Sequence, residues 1–243
     1  MSIFMRLSQH FRYARCYAIF TSPDFIKLPF FGGERLVKPC MALLFAAFLS
    51  STASAQGKTA PILIVGDSLS AEYGLRRGTG WVPLLEKQLA SENKTAKVVN
   101  ASISGDTTSG GRSRLGSLLE QHKPGTVVIE LGGNDALRGL PLDMTEKNLL
   151  AMTQAAKKAG ARVLLLGMQV PPNYGGAYGA TFVGLFARVA KAENVPLVPF
   201  FLKGVADGDD AARLFQSDRI HPNEKAQATM LSNVWPELKK LIQ

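Results

Sequence analysis

From residue 60 onward, short apolar runs alternate with longer stretches in which apolar positions recur every three or four residues. The short runs are 61–66 (PILIVG), 96–100 (AKVVN), 126–132 (TVVIELG), 162–168 (RVLLLGM) and 196–200 (PLVPF). Such runs, nearly continuous in Val, Ile and Leu, predict strands buried on both faces. The amphipathic stretches predict helices near 80–92, 109–121, 145–159 and 179–193, and a last one over about 224–242 with Asn223 as its expected N-cap. Within the fourth, Phe182, Leu185, Phe186 and Val189 recur at helical spacing and are expected in the core. Strand and helix in alternation predict an α/β chain: a three-layer α/β/α sandwich on a five-stranded parallel sheet, in the flavodoxin-like order 2-1-3-4-5. Ligands of such sheets bind outside the carboxyl ends of the strands, at the switch between strands 1 and 3. The loops after Val65, Asn100 and Leu131 are therefore the places to look, and all three are rich in Gly, Ser, Asp and Asn.

Before residue 56 the pattern changes. Cys40 to Leu49 is an apolar run, CMALLFAAFL, short for a membrane span but of the right length for a signal-peptide core. Arg35 and Lys38 precede it, and Ala53-Ser54-Ala55 forms an A-x-A site that predicts cleavage before Gln56. The competing reading, an uncleaved membrane anchor, is disfavoured by the short run and the clear site. The chain thus divides into an N-terminal extension and signal peptide, 1–55, and a single folded domain, 56–243, expected in the periplasm or secreted. Residues 1–34 lack periodicity and lengthen the basic leader unusually, so translation is expected to start nearer residue 35. Both cysteines, Cys16 and Cys40, precede the cleavage site. The mature chain would then hold no thiol, which excludes a cysteine nucleophile, a thiolate metal site and a disulfide.

Charge changes the picture little. The formal net charge of +9 falls, after residue 55, to 22 basic against 17 acidic residues, a net +5. These basic residues are dispersed, so nucleic acid is not an expected partner and a membrane surface is at most a peripheral one. A monomer is expected.

The first strand ends in Gly66-Asp67-Ser68-Leu69-Ser70, a turn that exposes a serine hydroxyl at the carboxyl edge of the sheet. It is not the G-x-S-x-G elbow, because Ser70 stands where the second glycine would be. A serine hydroxyl needs an adjacent base to accept its proton as it attacks. After Ala55 only His122 and His221 remain, and His122, in Gln-His-Lys-Pro at a helix end, is expected to serve that helix terminus. His221 is the candidate base. Asp218, three residues earlier, can hold its Nδ1–H and leave Nε2 to face the serine, while Pro222 steers His221 away from helical geometry. The oxyanion formed on attack calls for donors already in place. Candidates are the backbone N–H groups of Ser68 and Gly105, expected at loop-to-helix starts, and the side chain of Asn134. Gly105 also suits a turn of positive φ and Asn134 an Asx cap, roles compatible with the first. Asp67 and Asp135 are expected to brace loops.

Taken together, GDSLS, Gly105 in NASISGDT, Gly132-x-Asn134-Asp135 in ELGGNDALRG, and Asp218-x-x-His221 resemble the GDSL or SGNH hydrolases over nearly the whole mature chain. The two longer strings are similar to the bacterial periplasmic thioesterase I/lysophospholipase (arylesterase) branch. The resemblance implies hydrolysis of acyl esters or thioesters, among them aryl esters and lysophospholipids, with no cofactor and no metal. It also implies that the loop from Pro171 to Gly179 lines the acyl site, with Tyr174 and Tyr178 as candidate substrate contacts. Two other functions compete: a carbohydrate O-acetylesterase with the same triad, and a flavodoxin-like module binding phosphate or flavin. The second explains the glycines but not the conjunction of Ser68, Asp218, His221 and Asn134, and neither nucleotide-binding glycine motif is present.

Overall fold

The computed structural model describes residues 60–242. The expected signal segment, its cleavage site and both cysteines lie outside the described residues. In chain order the elements are β1 (Ile62–Gly66), α1 (Trp81–Ser91), β2 (Val98–Asn100), α2 (Thr108–His122), β3 (Thr126–Glu130), a short α3 (Gly133–Leu137), α4 (Leu142–Lys158) and β4 (Arg162–Leu166). A 3-10 turn (Pro172–Tyr174) then leads to α5 (Gly176–Glu193), β5 (Leu197–Val198), a short α6 (Ala211–Leu214), a second 3-10 turn (Glu224–Ala226) and α7 (Gln227–Leu241). Every strand pair is parallel, and the order is β2-β1-β3-β4-β5. Helices cover both sides: α2, α4 and α5 pack together as one layer, α1 and α7 as the other.

The apolar runs fold as strands because both faces of the sheet are covered. The two central strands, β1 and β3, are buried at every position. Each helix turns an i, i+3, i+4 stripe inward: Leu85 and Leu89 of α1, Met230, Val234 and Leu238 of α7, and Phe182, Leu185, Phe186 and Val189 of α5 are all buried. Fully burying one such side chain contributes roughly 1.5–3 kcal/mol. Asn223 caps, but it caps the 3-10 turn, its side chain accepting from Lys225 N at 3.0 Å, and the final helix begins three residues later than expected, at Gln227.

The structure departs from the pattern in several places, among them an unforeseen α6 and a β2 of three residues rather than five. The edge strand β5 has two residues rather than five because Pro196 and Pro199 bracket it and cannot donate to a ladder. Helix α4 begins at Leu142, three residues early, on Pro141. Helix α5 begins at Gly176, so the last part of the expected 171–179 loop is its first turn, despite the Gly175-Gly176 pair that reads as a breaker. The unforeseen α3 follows Gly132, whose φ of 119° turns the chain sharply out of β3. A Cβ at Gly132 would stand 3.1 Å from Phe186 Cζ, so both conformation and space require glycine there. Among the described residues no helix is long and apolar enough to cross a membrane.

Candidate active site

Ser68 leaves the carboxyl end of β1 in a run of turns rather than at a helix start; α1 begins only at Trp81. Ala71 N donates to Asp67 O at 2.9 Å and Tyr73 N to Ser68 O at 3.3 Å, which closes the turn around the hydroxyl. His221 arrives from the far end of the chain on an isolated antiparallel bridge between Phe215 and Pro222. Gln216 N donates to His221 O at 2.8 Å, so the residue is pinned beside the bridge. Asp218 organises the turn between: its Oδ1 accepts from Ile220 N at 2.9 Å and His221 N at 3.0 Å. Its Oδ2 lies 2.7 Å from His221 Nδ1, and His221 Nε2 lies 2.9 Å from Ser68 Oγ. A carboxylate cannot donate, so Nδ1 carries the ring proton and Nε2 accepts from the serine hydroxyl. The backbone N–H groups of His221 and Ile220, with the His221 ring, hold the Asp218 carboxyl down to about 2. Arg219, inside this turn, has a φ of 57°, a left-handed conformation that side chains rarely adopt.

The other candidates gather around the same strand end. Asn134, in the first turn of α3, donates from Nδ2 to Asp67 Oδ2 at 2.9 Å, and Asp67 immediately precedes Ser68. Gly105 has a φ of 78° and lies three residues before α2. Its loop is held beside β1 by Ile103 N, which donates to Gly66 O at 3.0 Å, and its carbonyl accepts from Arg138 Nη2 at 2.7 Å. Ser68, Asp218 and His221 thus form one hydrogen-bonded line, with Asn134 attached to the neighbour of the serine and Gly105 on the adjacent loop. Tyr174 and Tyr178 stack with ring centroids 6.1 Å apart, and the Tyr178 hydroxyl donates to Ala136 O of α3 at 3.4 Å. His122 ends α2, at the opposite end of that helix from the site. Asp135 is buried and accepts from Thr108 N at 2.9 Å, from the Thr108 hydroxyl and from Thr145 Oγ1 at 3.2 Å, tying α3 to α2 and α4.

Two residues that the sequence reading passed over stand in contact with this group. The Tyr73 ring lies against His221, centroids 4.3 Å apart and planes tilted by 38°. Nothing in the sequence around Tyr73 marks it. Glu130, the last residue of β3, is buried; its Oε2 accepts from Ser70 Oγ at 2.8 Å and Asp67 N at 3.2 Å. Here a signal existed, since an acid closing a Val-Val-Ile strand that is covered on both faces is anomalous. Burial pushes Glu130 well above the usual carboxylate range and Asp67 up to about 6.

Among the described residues seven large apolar side chains remain exposed, several of them in the segments that carry the candidate site residues. They are Tyr73, Ile103, Leu137, Leu140, Met144, Val183 and Ile220. Val183 also borders a groove of about 260 Å³ with Val170, Pro171 and Pro172. Among the described residues no three His, Cys, Asp or Glu side chains gather as a metal-binding group.

The profile of the GDSL-like lipase/acylhydrolase family matches residues 64–229. Esterase TesA of Pseudomonas aeruginosa is 49% identical over 207 residues, 85% of this chain and 98% of that protein. Thioesterase 1/protease 1/lysophospholipase L1 of Escherichia coli K12 is 40% identical over 83% of this chain and 93% of its own length. Among solved structures, a crystal structure of TesA superimposes with a TM-score of 0.72 at 52% identity, covering 74% of this chain and 99% of that one. The psychrotrophic esterase EstA from Pseudoalteromonas sp., inhibited by monoethylphosphonate, gives a TM-score of 0.70 at 40% identity over 74% of this chain and 97% of its own.

Proposed function

The chain belongs to the GDSL-like lipase/acylhydrolase family, and from that premise we propose that it hydrolyses acyl esters and thioesters through an acyl-Ser68 intermediate. The observation that carries this reading is the line from Ser68 Oγ through both ring nitrogens of His221 to Asp218. As Ser68 attacks the carbonyl carbon, Nε2 takes its proton, and the imidazolium that forms is stabilised by the ionised Asp218. The carbonyl oxygen becomes an oxyanion that the N–H groups of Ser68 and Gly105 and the Asn134 amide stabilise. Collapse expels the alcohol or thiol, which receives the proton from Nε2. Water, deprotonated by the same nitrogen, then attacks the acyl-enzyme; the Oγ–acyl bond breaks, Ser68 Oγ takes the proton back from Nε2, and the acid is released.

The exposed apolar side chains around the site favour an aryl or fatty acyl substrate over an acetylated sugar. Exported protein is expected to begin at Gln56; an intact Met1 on the released active enzyme would contradict this. The central test is steady-state hydrolysis of a short p-nitrophenyl ester. Ser68→Ala and His221→Ala should each lower kcat by about 10³ to 10⁶, and the double change little further, because they act as one unit. Asn134→Ala should lower kcat by about 10² to 10³, with Asp218→Asn between. His122→Ala should leave kcat intact. An active His221→Ala enzyme with a native circular dichroism spectrum overturns the reading.

A further inference from the structure

Glu130 has no place in the mechanism above, yet its side chain sits directly behind it. Its interactions are with Ser70 and Asp67, not with a cation. Both donors, Ser70 Oγ and Asp67 N, converge on the same oxygen, Oε2, which leaves the other oxygen free to carry a proton. Ser70 Oγ in turn accepts from Trp81 Nε1 at 3.1 Å, which fixes the direction in which its hydroxyl donates. Asp67 is arranged differently: each oxygen already faces a donor, Oδ1 the Leu69 amide at 3.0 Å and Oδ2 the Asn134 amide at 2.9 Å. The two carboxyl groups are within hydrogen-bond reach of one another. Two buried carboxylates in contact do not both ionise, so one proton lies between them. The donors around each place it on Glu130.

We propose that Glu130 is a positioning residue: as the neutral acid it donates a hydrogen bond to the Asp67 carboxylate, and that anion fixes which end of the Asn134 amide faces the reacting carbonyl. An anionic Asp67 accepts only the nitrogen of Asn134, whose second N–H is then free for the oxyanion. A protonated Asp67 binds the amide oxygen equally well, which turns an acceptor toward developing negative charge. The inference rests on the reading of Asn134 as an oxyanion donor. Burial acts on both acids, and most strongly on Glu130. For Asp67 burial is opposed by the Leu69 and Asn134 hydrogen bonds, the His221 charge and the bond from Glu130. The fit is close: a Cβ on Gly66 would lie 2.7 Å from Glu130 Oε2 and 2.9 Å from Ser70 Oγ, so glycine at that position makes room for the pair.

The test is kcat and KM for p-nitrophenyl acetate at mildly alkaline pH with Glu130→Gln, Glu130→Leu, Asn134→Ala and the Glu130→Leu/Asn134→Ala double variant. Glu130→Gln keeps a donor toward Asp67 and should stay within about threefold of wild type. Glu130→Leu should lower kcat about 10- to 100-fold with KM little changed, a fraction of the loss of an oxyanion donor. The double variant should be no slower than Asn134→Ala, because both changes act through one group. Losses that multiply in the double variant overturn the proposal while leaving the role of Asn134 standing. A fully active Asn134→Ala enzyme overturns both readings. If Glu130→Leu does not fold, infrared difference spectroscopy between wild type and Glu130→Gln decides. A protonated-carboxyl stretch at neutral pH in wild type alone supports the proposal, and its absence overturns it.

Discussion

His221 is held at both ring nitrogens, by Asp218 at 2.7 Å and Ser68 at 2.9 Å, yet on the proposed mechanism the bond to Ser68 changes hands, because Nε2 becomes a donor once it takes the hydroxyl proton. Through that step the Tyr73 ring, 4.3 Å away, still limits rotation of the imidazole. An aromatic contact is worth about 0.5–1.5 kcal/mol, so Tyr73→Ala should lower kcat roughly 3- to 10-fold and Tyr73→Phe should not. Equal losses in the two variants, measured with a soluble ester, would show that the ring face is not what matters. Asp218 adds a pH signature. Its carboxyl is held at about 2 in the folded protein, below the ordinary unfolded value of about 3.9. Its contribution to stability is therefore complete above the unfolded value and is lost as pH falls through that window. Ser68, Asp218, His221, Gly105 and Asn134 were visible in the sequence because acyl transfer needs those residue types in turns at strand ends. Tyr73 was not, because its partner is fixed only by tertiary packing, and Glu130 was hidden in a strand that otherwise reads as plain core.

The elements were legible to within a few residues wherever an apolar run was long and both faces were covered. The misses fall where tertiary contacts outweigh local preference. Helix α5 extends through Gly176 because Tyr178 packs on α3 and Phe182 in the core. The 3-10 turn and α7 also do more than close the sandwich. Gln227, at the start of α7 and buried, accepts from Trp81 N at 3.0 Å, supplying the N-terminal partner that Gly80 cannot offer α1. Its amide donates back to Asn223 O at 3.1 Å, just beyond His221. Gln227→Ala leaves a buried backbone donor unmet and should destabilise the protein by about 1–3 kcal/mol. Chemical denaturation should register this as a lower midpoint, and an unchanged midpoint would mean that water replaces the side chain.

On the scale of the whole described fold, the exposed large apolar side chains include Tyr73, Ile103, Leu137 and Ile220, in the segments that carry Ser68, Gly105, Asn134 and His221. Tyr174 and Tyr178 stand beside the groove lined by Val170 and Val183 and reach α3 through the Tyr178 hydroxyl. Replacing both with Ala should change the ratio of long-chain to short-chain kcat/KM by more than it changes the short-chain value itself. A uniform loss across an acyl-length series of p-nitrophenyl esters would remove them from substrate selection.

Ser68 and His221 are 153 residues apart in the chain, and the backbone of His221 is held beside the Phe215–Pro222 bridge by Gln216 N and by the Asp218 turn that precedes it. During synthesis the serine emerges from the ribosome long before its partner does. On the proposed mechanism, a nascent or prematurely terminated chain therefore carries a hydroxyl with no base beside it, and esters in the compartment of synthesis are spared until synthesis has reached about the last tenth of the chain and the His221 turn has docked.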